Sequence, residues 1–139
     1  MDNGTNKQGG CLCGAVRYEV HGPLREIISC HCGQCQKSSG HYFAATAASL
    51  SNFRLTKERG LKWYPSSDRA ERGFCSDCGS NLFWRHTGGT HISILAGTLD
   101  GKTGLRTVRH IFVADKKDYY DITDGLPQYD SYPEELKNG

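Results

Sequence analysis

The run Phe74-Cys75-Ser76-Asp77-Cys78-Gly79-Ser80-Asn81-Leu82-Phe83 decides how the rest of the chain is read. Two residues between Cys75 and Cys78 let one tight turn present both thiolates to one metal ion. Gly79 supplies the positive φ that such a turn needs. Zinc–sulfur bonds near 2.3 Å in a tetrahedron place the sulfurs under about 4 Å apart. A redox pair is the rival reading of any CxxC, but that pair normally opens a helix in a thioredoxin-like setting. Here strand-forming Phe83 and Trp84 follow, which favours a zinc knuckle.

A knuckle supplies two ligands, and a closed structural zinc takes four. Cys11 and Cys13 offer the others, because residues i and i+2 of a strand share a face. Taken alone, the pair also reads as two small buried strand residues. Beside Cys75 and Cys78 it completes a four-cysteine site that would staple an N-terminal strand to the middle of the chain. The third group, Cys30-His31-Cys32-Gly33-Gln34-Cys35, brings three thiols within six residues. Three protein ligands leave one position of a tetrahedral zinc open, as catalytic zinc sites do. The alternative is a closed site whose fourth ligand is His31, His41, His21 or His110. Of these His31 is poorly placed, since alternation points it away from Cys30 and Cys32. The expected load is two Zn²⁺ per chain.

The cysteine count supports this partition. Seven is odd, so full disulfide pairing is impossible. The polar opening MDNGTNKQGG has no apolar h-region, and no apolar stretch is long enough to span a bilayer. A cytoplasmic protein with reduced thiols is expected, where clustered cysteines read as metal sites. The formal charge of +2 treats the thiols as neutral. Seven thiolates and two Zn²⁺ would bring it to −1, so the apparent basic character disappears. Lys and Arg are scattered, and neither a nucleic acid nor a membrane is expected as partner.

The 139 residues fit one domain, and 37% apolar residues suggest a core that metal sites supplement. Residues 1–8 are expected as a flexible tail, 9–130 as the zinc domain and 131–139 as a second tail. Residues 15–20 alternate as a half-buried strand does. Strands are also expected over 61–64 (stopped by Pro65), 91–97 and 108–113, while residues 70–74 enter the third cysteine cluster and 81–85 leave it. Residues 36–40 read as one helical turn or a tight loop stopped by Gly40. Residues 41–48 mix alanine with Tyr, Phe and Thr, and are assigned to a strand. Many short strands with Gly-rich turns make the fold mainly β.

The three cysteine runs also carry a resemblance. Gly10-Cys11-Leu12-Cys13-Gly14-Ala15-Val16-Arg17-Tyr18, then Cys30-His31-Cys32-Gly33-Gln34-Cys35-Gln36-Lys37-Ser38-Ser39-Gly40, then the Phe74–Phe83 run resemble the glutathione-dependent formaldehyde-activating (GFA) family, which also contains centromere protein V. Gly97-Thr98-Leu99-Asp100, His110-Ile111-Phe112-Val113 and Asp124-Gly125-Leu126-Pro127 are similar to its C-terminal pattern. The resemblance implies a β-tent-like zinc fold of stacked antiparallel sheets. It implies a structural zinc on Cys11, Cys13, Cys75 and Cys78, and a second zinc with an exchangeable position on Cys30, Cys32 and Cys35. The implied activity joins formaldehyde and glutathione to S-hydroxymethylglutathione, a carbon–sulfur lyase reaction in reverse. Where many relatives carry a tryptophan before Asp-Gly-Leu-Pro, this chain has Tyr119-Tyr120, and substrate transfers less well than fold.

Two functions follow. A zinc-dependent enzyme would bind a small thiol such as glutathione as thiolate, with Lys37, Arg17 or Arg72 steering its carboxylates and Tyr42, Phe43 and Trp84 lining a pocket. A non-catalytic zinc scaffold is the alternative. A centromere-protein-like role would lean on a long basic extension, which this sequence lacks.

Overall fold

The computed structural model describes residues 6–133. Its elements are β1 (Asn6–Gly10), β2 (Val16–His21), β3 (Ile27–Cys30), α1 (Gly33–Ser39), β4 (Phe43–Ser49), β5 (Phe53–Glu58), β6 (Leu61–Pro65), β7 (Ala70–Cys75), β8 (Asn81–His86), β9 (His91–Leu95) and β10 (Thr107–Ile111). They form a three-stranded sheet, β1-β2-β5, and a seven-stranded sheet, β10-β3-β4-β9-β8-β7-β6. Every named pair is antiparallel except β3 with β10.

The sheets meet on their apolar faces. In β2, Val16, Tyr18 and Val20 alternate inward and are almost fully buried. From the large sheet come Leu82, Phe83, Ile92 and Ile94, equally buried. The centre is aromatic: Phe83 packs edge-on against Tyr18 (ring centroids 5.4 Å apart) and Phe53 (5.3 Å), and stacks on Trp63 (5.9 Å). Gly9 lets β1 close over Tyr18, where a Cβ would come within 2.3 Å of the phenol oxygen.

Residues 6–8, expected in a flexible tail, belong to β1, where their backbone pairs with residues 19–21 of β2. Residues 1–5 and 134–139, the outer parts of the two expected tails, lie outside the described residues. Strand β5 was not anticipated. Phe53 and Leu55 alternate with exposed Arg54 and pack against the core, but Thr56, Lys57 and Glu58 are exposed, so the alternation is too short to mark a strand and pairing with β2 completes it. The strand expected over 91–97 ends at Leu95 in a 3₁₀ turn, Ala96–Thr98. That expected over 108–113 ends at Ile111, because Phe112 adopts a left-handed conformation (φ 58°). Helix α1 is longer than the expected turn and does stop at Gly40, at φ 83°.

Candidate metal centres

The sulfurs of Cys11, Cys13, Cys75 and Cys78 all lie within 4.8 Å of one another. Cys13 Sγ is 3.7 Å from Cys11 Sγ and 3.8 Å from Cys75 Sγ. The sulfur–sulfur edge of a tetrahedral zinc–thiolate site is about 3.8 Å, so the donor set fits that ion. Cys11 and Cys13 sit in the turn between β1 and β2 rather than on a strand, where the Gly14 amide donates to the Cys11 carbonyl. Cys75 ends β7, and Gly79 closes the opposite turn at φ 82°, its amide donating to the Cys75 carbonyl at 2.7 Å. The Val16 amide donates to Cys11 Sγ at 3.2 Å, and the Leu12 amide to Ser80 Oγ at 3.0 Å, which locks the turns together. The Ser80 hydroxyl and amide hold the Cys78 thiol down at about 5.

Cys30, Cys32 and Cys35 form the second cluster, again with sulfurs within 4.8 Å. Cys30 ends β3, Cys32 caps α1 by accepting the Cys35 amide at 3.4 Å, and buried Cys35 lies in the first turn. Phe43, Ala45, Trp84 and Leu95 pack around them. The neighbouring thiols drive one another apart: Cys32 is held down at about 2 by hydrogen bonds from Cys30 and Cys35, while Cys30 is pushed up by the same contacts and by burial. Three thiols this close oppose one another's ionisation, and a cation bound among them would favour the thiolate form of all three.

From buried His31, between Cys30 and Cys32, a polar chain runs through buried His110 to exposed Asp124. His31 Nε2 meets His110 Nδ1 at 3.0 Å, and His110 Nε2 donates to Asp124 Oδ2 at 2.8 Å. In the neutral pair His110 Nδ1 then accepts from His31, whose own Nδ1 accepts the Tyr120 hydroxyl. Burial, then the charges of His110, His41 and Lys116, push His31 down to about 4. This chain fastens residues 120–124 to the backbone between two of the cysteines.

Against known proteins, the profile described as glutathione-dependent formaldehyde-activating enzyme matches residues 6–115. The chain belongs to this family. A protein of Schizosaccharomyces pombe named as an uncharacterized lyase is 28% identical over 116 residues, covering 83% of this chain and 84% of its own. A crystal structure of a Rhodobacter sphaeroides protein superposes with a TM-score of 0.59 at 23% identity, over 87% of this chain and 98% of its own, which shows the shared fold. Among the described residues, no helix is long and apolar enough to cross a membrane.

The GFA cysteines therefore fall into the two sets expected from their spacing. Among the described residues no histidine or carboxylate joins either set. His31 and His110 are committed to the polar chain, His41 to Tyr119, and His21 to Asn6 and Glu19. Of the expected steering cations, Arg17 pairs with Asp100, and Lys37 lines a cleft of about 530 Å³ along α1 with Lys117 and Tyr119. Arg72 alone of the three reaches the second cluster, 3.7 Å from Cys35 Sγ. Phe43 and Trp84 wall that cluster, whereas Tyr42 packs against His31 and His41.

The polar chain was missed from sequence, where His31 and His110 were weighed only as ligands. The available signal was that a histidine turned away from flanking ligands on a buried strand must find polar partners. His110→Ala strands the His31 Nε2 donor and is expected to cost about 1–3 kcal/mol. Urea melts of the two proteins check this, and superimposable curves would refute it.

Proposed function

We propose that this protein is a zinc-dependent carbon–sulfur lyase-type enzyme whose substrate is a thiol adduct, with glutathione and formaldehyde as its components and S-hydroxymethylglutathione as the joined product. The observation that carries this reading is the convergence of the Cys30, Cys32 and Cys35 sulfurs, a set that no histidine or carboxylate joins among the described residues. Zinc held there by three thiolates would retain one coordination position, at which a substrate thiol is bound and kept deprotonated. Cys11, Cys13, Cys75 and Cys78 would hold a second, structural zinc. The family match and the lyase name of the yeast relative support the same reaction class. The cytoplasm, where glutathione and reduced thiols coexist, is the compartment we propose.

The chain's own groups do the rest. Phe43, Trp84 and Leu95 exclude water from one side of the cluster and strengthen electrostatic contacts made there. The cleft along α1 is the place we assign to the body of the thiol, with Lys37 and Lys117 facing its carboxylates. Helix α1 joins the two, since it begins at the Cys32 cap and carries both Cys35 and Lys37.

Cobalt substitution tests the reading. The full chain should take up two equivalents of metal. Added 2-mercaptoethanol or glutathione should strengthen the thiolate–cobalt bands, and Cys32→Ser should abolish that response. Binding releases the thiol proton, so affinity should rise with pH up to the thiol pKa near about 8.5. A spectrum indifferent to both thiols would leave the scaffold reading in its place.

A further inference from the structure

Four arginines of the described chain are neutralised by carboxylates: Arg17 by Asp100, Arg54 by Glu19, Arg59 by Asp77 and Arg85 by Glu71. Arg72 forms no such pair among the described residues. Its neighbour Glu71, on the same strand, is taken by Arg85 at 2.9 Å. The guanidinium is held over the ring of Phe43, its carbon 5.1 Å from the centroid. Its contacts are long: Ser38 Oγ at 3.4 Å, Gln34 Oε1 at 3.5 Å and Cys35 Sγ at 3.7 Å. Its Nε is buried and has no hydrogen-bond partner among the described residues. A buried donor left unpaired is costly, and such groups in native proteins call for an explanation.

We propose that Arg72 is the specificity-determining residue that selects an anionic, thiolate ligand at the Cys30–Cys32–Cys35 cluster. The inference rests on the open-position reading given above. Three thiolates and a dication carry one net negative charge, and a fourth thiolate makes it two. Against Phe43, Trp84 and Leu95 a doubly negative cluster is poorly solvated. A guanidinium beside Cys35 returns the assembly to one negative charge and offers donors to the incoming sulfur. The incoming thiol gives its proton to solvent, and no bond of the protein is broken. Phe43 matters because its ring, 5.1 Å from the guanidinium carbon, favours the cation at this place beside Cys35.

The test compares wild type, Arg72→Gln and Arg72→Lys, each loaded with cobalt and titrated with 2-mercaptoethanol and separately with imidazole, a neutral ligand. An opposite charge at this range moves a thiol pKa by about one unit or more, so Arg72→Gln should weaken mercaptoethanol about tenfold near neutral pH and raise the pH midpoint of binding by about one unit. Imidazole affinity should not change, and Arg72→Lys should recover most of the thiol affinity. Equal weakening of both ligands would mean a merely structural role and overturn the proposal, as would unchanged thiol binding in Arg72→Gln. Should Arg72→Gln fail to hold cobalt, the lysine variant decides: retained thiol preference supports the charge, and a tenfold loss removes it. A wild-type protein indifferent to thiols would sink the open-position reading itself, whereas failure confined to the variants leaves that reading standing.

Discussion

Cys78→Ser is expected to leave a chain that does not fold at 25 °C, while Cys35→Ser still melts cooperatively. The two variants remove the same atom from clusters of similar geometry, so the difference lies in what each cluster joins. Cys13 and Cys75 are 62 residues apart, and their cluster pins the turn between β1 and β2, in the small sheet, to the end of β7 in the large one. Metal held there, as proposed, contributes folding free energy on the order of 10 kcal/mol. A domain of ordinary stability has only about 5–15 kcal/mol in total. Losing one of four ligands also leaves buried Cys75 and Cys11 as unpaired thiols. By contrast, Cys30, Cys32 and Cys35 sit within one continuous β3–α1 segment whose backbone is already fixed by the cap at Cys32 and the pairing of β3 with β4 and β10. Placing a hydroxyl at buried Cys35 should cost about 1–3 kcal/mol, a fall of roughly 3–15 °C in Tm. Thermal melts of the two variants in metal-replete buffer decide the matter. Matching losses would show that the clusters do not divide into a structural and a reactive site.

The cysteine spacing read the two clusters well because a ligand pair within one tight turn is a local constraint. Gly79 and Gly40 are likewise local: each stands where the chain turns left-handed, and each was legible as a turn residue. What escaped was held by partners distant in sequence. Strand β5 alternates only over Phe53 to Leu55 before three exposed residues, and β2 supplies the ladder that completes it. Residues 6–8 look like a tail until β2 pairs with them. The parallel contact of β3 with β10 joins residues 27–30 to 107–111, and no local pattern announces it. The same holds for the site. His31 turns away from the thiols, yet its partners, His110 and Tyr120, lie some eighty to ninety residues on, and Asp124 is reached only through His110. Arg72 was one of three interchangeable cations in the sequence, and only the fold sets it on Phe43 beside Cys35 while tying Arg17 to Asp100.

Phe83→Ala should be the most damaging single change away from the cysteines. Phe83 is 1% exposed and sits at the hub of the rings, meeting Tyr18 and Phe53 of the small sheet and Trp63 of its own. Its strand neighbour across the ladder is Gly73, where even a Cβ would lie 3.0 Å from both Phe83 and Trp63. No side chain is therefore available from β7 to fill the hole. The surrounding rings are anchored as well: the Tyr18 hydroxyl bonds Thr98 Oγ1 at 2.7 Å, and Arg85 lies 3.7 Å over Trp63. A site that cannot collapse sits at the upper end of the large-to-small range, so the loss should be about 3–5 kcal/mol. Phe83→Leu keeps most of the volume and should lose less than half as much. Urea denaturation measures both, through the shift in midpoint at constant slope. The four-cysteine cluster is left intact in each variant, so the metal content should stay at the wild-type value and the loss should be read from the core alone. A loss under about 1 kcal/mol for Phe83→Ala would mean that the cysteine clusters, rather than the aromatic contact, hold the sheets together.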